Sequence, residues 1–82
     1  MIVAAVESTT LRAIGYDGRL GLLRLEFRSG AVYDYFGVPG IVHEALLPAP
    51  SVGACFNEIV RGRFPYYRVS GFDAEYVPKE DR

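Results

Sequence analysis

The stretch Leu22-Leu23-Arg24-Leu25-Glu26-Phe27-Arg28-Ser29-Gly30-Ala31-Val32-Tyr33-Asp34-Tyr35-Phe36 decides the fold. Leu23, Leu25 and Phe27 alternate with Arg24, Glu26 and Arg28, which is the two-residue period of a half-buried strand. Ser29-Gly30 interrupts it, and a second run rich in β-branched and aromatic residues follows. Read as a two-residue turn ending in glycine, Ser29-Gly30 makes the whole stretch a β-hairpin. That turn sets a register with Arg28 facing Ala31, Phe27 facing Val32, Glu26 facing Tyr33 and Arg24 facing Tyr35. Tyr33 and Tyr35 then share a face with Arg24, Glu26 and Arg28. Asp34 points to the apolar side, where a carboxylate needs a partner or an open edge. A slip of one residue would exchange every face.

Outward from the hairpin, Thr10 to Tyr16 reads as a preceding strand, with Ile14 and Tyr16 on one face. Asp17-Gly18-Arg19-Leu20-Gly21 is a glycine-punctuated loop. After the hairpin, Val38-Pro39 stops the strand and suits the first turn of a helix. Gly40 to Leu47 reads as a short helix with Val42, Ala45 and Leu46 inward, broken by Pro48-Ala49-Pro50. Ser51 is a helix N-cap. Behind it, Val52, Cys55, Phe56, Ile59 and Val60 form one apolar stripe at helical spacing, and Gly62 suits that helix's end. Phe64 to Val69 is either an extended segment or an edge strand, because Pro65 excludes a central one.

The expected fold is therefore α+β: a three-stranded antiparallel β-meander followed by two short helices packed on one face, with a C-terminal edge strand as the open question. The helices should cover Leu23, Leu25 and Phe27, joined by Ile14, Tyr16, Val32 and Phe36.

The chain has 82 residues, enough for one domain, spanning residues 1–70, with a polar acidic tail at 71–82. A chain of this length buries about 60 to 65% of its unfolded surface, so the core is marginal and dimerisation would add to it. The formal net charge is -1, too small a field to draw nucleic acid or an anionic membrane by itself. Through Ser70 there are seven Arg and no Lys against six acids. Arginine offers planar, bidentate contacts, although genome composition explains the same usage. One cysteine excludes an internal disulfide and points to a reducing, cytoplasmic setting. No apolar run is long enough to span a membrane, and the N-terminus lacks a signal-peptide pattern.

In order along the chain, Val6-Glu7-Ser8, Ile14-Gly15-Tyr16-Asp17, Leu23-Arg24-Leu25-Glu26-Phe27, Ser29-Gly30, Tyr33-Asp34-Tyr35, Val38-Pro39, Ala49-Pro50-Ser51-Val52-Gly53, Phe56-Asn57 and Ile59 form a series. That series resembles the KTSC domain, a bacterial module named after the C-terminus of some lysyl-tRNA synthetases and also found as a stand-alone small protein. The resemblance covers Val6 to Arg68. Two positions depart from the family pattern, Cys55 before Phe56-Asn57 and Pro50 before Ser51. The resemblance implies a fold, and through the synthetase context it implies RNA.

Catalysis is not expected. His43, the sole histidine, reads as a surface residue with no catalytic partner. Cys55 reads as a small buried hydrophobe on its helix stripe. No residues have zinc-ligand spacing, and no glycine-rich phosphate signature occurs. No cofactor is called for. Gly53 reads as a point of close helix packing and Asn57 as a hydrogen-bonding junction residue.

Two readings compete for the tyrosines. They are ordinary strand residues packed on their neighbours, with Arg24 over Tyr35 as a cation–π pair. Alternatively, Tyr33, Tyr35, Arg24 and Arg28 form a platform on which bases stack, extended by Arg61, Arg63 and Arg68. The expected function is a small non-catalytic module associating with RNA or single-stranded nucleic acid. The alternative is a protein-interaction or homodimerisation module using the same face.

Overall fold

A computed structural model describes residues 1–69; the acidic tail read at 71–82 lies outside the described residues. The α+β meander is present, and it has five strands. β1 (Ile2–Ala5), β2 (Leu11–Asp17), β3 (Leu22–Phe27), β4 (Val32–Tyr35) and β5 (Tyr66–Arg68) lie side by side in sequence order, each antiparallel to the next. Helices α1 (Gly40–Leu46) and α2 (Val52–Ile59) connect β4 to β5 and cover one face. The Phe64–Val69 segment is thus an edge strand. At the other edge, β1 is an addition to the expected meander. Its Ile-Val-Ala-Ala sequence has no alternation to mark it, and its partner is β2.

The β3–β4 register differs from the expected one by a single residue. Leu23 pairs with Tyr35, Arg24 with Asp34, Leu25 with Tyr33, and Glu26 with Val32. The reason lies in the turn. Phe27 N–H donates to Ala31 O at 2.8 Å and Gly30 N–H donates to Phe27 O at 2.9 Å, so the loop is Arg28-Ser29-Gly30, three residues long. Gly30 adopts φ +99°, as the last residue of such a loop requires. The extra residue changes the parity of β4, and every β4 side chain changes face.

Packing explains why this register wins. It places Tyr33 and Tyr35 under the helices beside Leu23 and Leu25, with Leu11, Ile14, Val38, Leu46, Val52, Phe56 and Val60 completing the core. It also moves Asp34 to the other face, opposite Arg24. The alternative would bury a carboxylate under two helices and expose two aromatic rings, which both desolvation and apolar burial oppose. Val32 and Phe36, expected beneath the helices, lie instead on the opposite face, which no described helix covers. Phe36 stacks there on Tyr67, with ring centroids 5.6 Å apart.

The helices follow their patterns. Ser51 Oγ accepts from Ala54 N–H at 3.3 Å as the N-cap of α2, and Val52, Phe56 and Val60 are buried. Gly62 leaves the helix at φ +77°. In α1, Leu46 is buried and Val42 half-buried, while Ala45, expected inward, is exposed.

Candidate functional site

Tyr33 and Tyr35 are 4% and 2% exposed. The Tyr35 ring meets Phe56 edge-on at 5.7 Å and stacks on Tyr66 at 5.1 Å, while Tyr33 meets Phe27 edge-on at 5.5 Å. The expectation that they form a platform on the polar face is therefore corrected: they are core aromatics. A base cannot stack on a ring whose faces are already covered.

Arg24 is also committed elsewhere. Its Nε and Nη2 donate to the two Asp34 carboxylate oxygens at 2.7 and 2.9 Å, a bidentate pair across the β3–β4 ladder. The hydrogen bonds from Arg24 to Asp34 hold the guanidinium pKa above its ordinary value, against the opposing effect of burial. Arg68 is half-buried, opposite Tyr33 on the helix side of the sheet.

The remaining predicted cations behave differently. Arg28, Arg61 and Arg63 are exposed, and their described partners are neutral oxygens: Ser8 O for Arg28, Asn57 Oδ1 for Arg61 at 3.2 Å, and Glu58 O for Arg63 at 3.0 Å. The two ion pairs among the described residues involve other arginines, Arg12 with Glu26 and Arg24 with Asp34.

Arg61 borders a cleft of about 280 Å³ between α2 and the β1–β2 loop. Its polar rim is Thr10, Asn57 and Arg61; its floor is made of the edges of Phe27, Phe56 and Tyr35. A wider, shallower hollow continues from it past Thr10, Gly53 and Asn57 to Glu7, Ser8 and Ser51. Local chemistry builds both walls. Ser8 Oγ accepts from Thr10 N–H and Leu11 N–H at 3.1 and 3.2 Å, which folds the β1–β2 loop into a compact turn. Arg28 N–H donates to Thr10 O at 2.9 Å and its side chain donates to Ser8 O, fastening the loop to the end of β3. Gly53 is not required for the approach of α2, contrary to its reading as a close-packing point: a Cβ there would make ordinary contact, 3.5 Å from Thr10 Oγ1, and its absence leaves the cleft wall open.

Asn57, read as a junction residue hydrogen-bonded to backbone, is exposed and accepts from Arg61. Thr10 was not singled out by sequence. It is a strand-end threonine, and only the tertiary fold brings it against α2. His43, read as a surface residue, is half-buried and stacks on Tyr16 with centroids 4.6 Å apart; the Tyr16 hydroxyl donates to Val38 O at 2.6 Å. Cys55 is partly buried, with Sγ 3.8 Å from Ala45 O. No group of three or more metal-ligating side chains occurs among the described residues, and no described helix is long and apolar enough to cross a membrane.

Segments that carried the family resemblance, Glu7-Ser8, Gly53 and Phe56-Asn57, thus meet around one cleft, and comparison with known proteins agrees with that resemblance. A protein of Stutzerimonas stutzeri is 42% identical over 66 residues, covering 79% of this chain and 93% of that protein. A lysine–tRNA ligase of Nostoc punctiforme is 39% identical over 64 residues, which are 78% of this chain and 11% of the ligase. The crystal structure of a KTSC domain protein from Yersinia pestis superposes with a TM-score of 0.81 at 30% identity, covering 84% of this chain and 97% of that one. The KTSC domain family model itself matches residues 7–64, and the chain belongs to that family.

Proposed function

We propose that the protein is a small, non-catalytic binding module that takes single-stranded RNA along the cleft between α2 and the β1–β2 loop. The observation that carries this reading is the set of arginines without carboxylate partners among the described residues. Arg61 lines the cleft, Arg28 is bonded to the β1–β2 loop that forms one of its walls, and Arg63 extends the series from the end of α2. Arginine forks match phosphate geometry, and the described hydrogen-bond partners of these three are neutral oxygens. Thr10 and Asn57 supply polar contacts for sugar or base edges, and the partly open Phe27 offers a ring edge at the floor. The relatedness to a region of lysine–tRNA ligases supports the choice of RNA, since those enzymes by name act on tRNA. The same relatedness supports a cytoplasmic setting.

Glu7 lines the outer hollow and limits the positive potential there, so affinity rests on a few phosphate contacts. Three such contacts to a single strand predict a slope of about −2 in log K against log salt. Anisotropy titrations with a mixed single-stranded RNA pool at several salt concentrations measure it. The joint substitution R28A/R61A/R63A should abolish the salt-dependent binding while leaving the fold intact, because all three side chains are exposed and the backbone bond from residue 28 N–H to Thr10 O still holds the β1–β2 loop. No binding at low salt, or unchanged binding by the triple variant, would overturn the reading.

A further inference from the structure

Among the described residues β1 is the outer strand of the sheet, and the ladder tells which of its backbone groups face outward. Val6 N–H donates to Arg12 O at 2.9 Å, into the sheet. In antiparallel pairing every second residue bonds the same neighbour. Ile2 and Ala4 therefore share the inward direction of Val6, while Val3 and Ala5 aim their N–H and C=O groups at the open edge.

The side chains of this strand are apolar on both faces. Met1, Ile2 and Val3 are 50%, 74% and 62% exposed. Met1 and Val3 lie over Gly15 on the uncovered face of the sheet, where a Gly15 Cβ would stand 2.7 Å from Met1 Sδ and 3.2 Å from a Val3 methyl. β1 carries no proline, no charge and no bulge, the devices that keep a sheet edge from pairing. The opposite edge is guarded: β5 is three residues long, follows Pro65 and bears Arg68.

We propose that β1 pairs with β1 of a second copy, antiparallel about a two-fold axis through Ala4, joining two five-stranded sheets into one. Strand and axis fit each other. Val3 of each copy lies opposite Ala5 of the other, so all the outward groups of both residues pair. The small Ala4 sits on the axis, and Ile2 meets Val6. Strand β1 has no charge to repel its own copy, and the two Glu7 carboxylates fall at opposite ends of the new pair. An isologous strand pairing of this kind closes after two copies.

Sedimentation velocity of the full chain from micromolar to near-millimolar concentration tests the pairing, with Val3→Pro as the variant. The Val3 N–H points outward, so proline there leaves the β1–β2 ladder intact and blocks the partner strand. The wild type should shift from monomer to dimer with concentration, while V3P stays monomeric throughout. Backbone amide exchange at Val3 and Ala5 in the wild type should slow as concentration rises. A wild type that is monomeric at the highest concentration, a V3P protein that still dimerises, or exchange at Val3 and Ala5 unaffected by concentration would each overturn the proposal.

Discussion

At the scale of single residues, the Tyr33-Asp34-Tyr35 tripeptide has two functions in the fold. The tyrosines build the core, and the aspartate anchors the opposite face. Replacing Tyr35 by Ser removes a ring that is 2% exposed and leaves a cavity beside Phe56 and Tyr66; a loss of about 3–5 kcal/mol follows from large-to-small core substitutions. Urea unfolding of Y35S measures it, and a loss below about 1 kcal/mol would mean the ring is not packed as described. Arg24→Ala leaves the Asp34 carboxylate, 4% exposed, without its bidentate partner. Breaking a fully buried pair costs about 3–5 kcal/mol. The Arg24 side chain is 41% exposed, so solvent screening reduces the expectation to about 1–3 kcal/mol. The pH dependence has a definite sign. A folded-state arginine pKa raised by Asp34 contributes stability that is fully present below the unfolded-state value and is lost only as pH rises through the folded one. Thermal unfolding of the wild type between neutral and mildly alkaline pH should therefore show no pH dependence arising from Arg24, whose stabilisation is constant there.

At the scale of elements, two glycines act in opposite ways. Gly30 closes the three-residue hairpin loop at φ +99°, with open space where a Cβ would be. Gly30→Ala should therefore cost about 1 kcal/mol or more from backbone strain alone. Gly53 sits in the first turn of α2, and its Cβ would make ordinary contact with Thr10 and Ser8. Gly53→Ala should raise stability by about 0.5–1 kcal/mol through helix propensity. The same methyl intrudes on the cleft, so RNA binding should weaken in a protein that melts higher. Paired thermal melts and anisotropy titrations of G53A separate the two effects; binding unchanged in G53A would place the RNA elsewhere.

At the scale of the whole molecule, the core is small, with a Cα radius of gyration of 11.6 Å. A domain of this size gains measurably from any partner that binds only the folded state. If β1 pairs between copies, the melting temperature of the wild type should rise with protein concentration and that of V3P should not. None of the residues lining the inner cleft belongs to β1, so V3P leaves that lining intact. RNA affinity measured for V3P should match that of the wild type at equal salt.

The sequence by itself determined the chain of elements from β2 through α2, because alternation, helical periodicity, Ser51, Pro39 and Gly62 act through local rules. It also singled out Arg28, Arg61 and Arg63. Only the tertiary structure decided which way β4 faces. Two- and three-residue loops ending at Gly30 are both locally acceptable, and the choice between them rests on burying Tyr33 and Tyr35 under helices far along the chain while giving Asp34 an arginine. β1 and Thr10 were equally invisible. A four-residue apolar strand and a single threonine have no periodicity, and their positions exist only once β2 and α2 are in place.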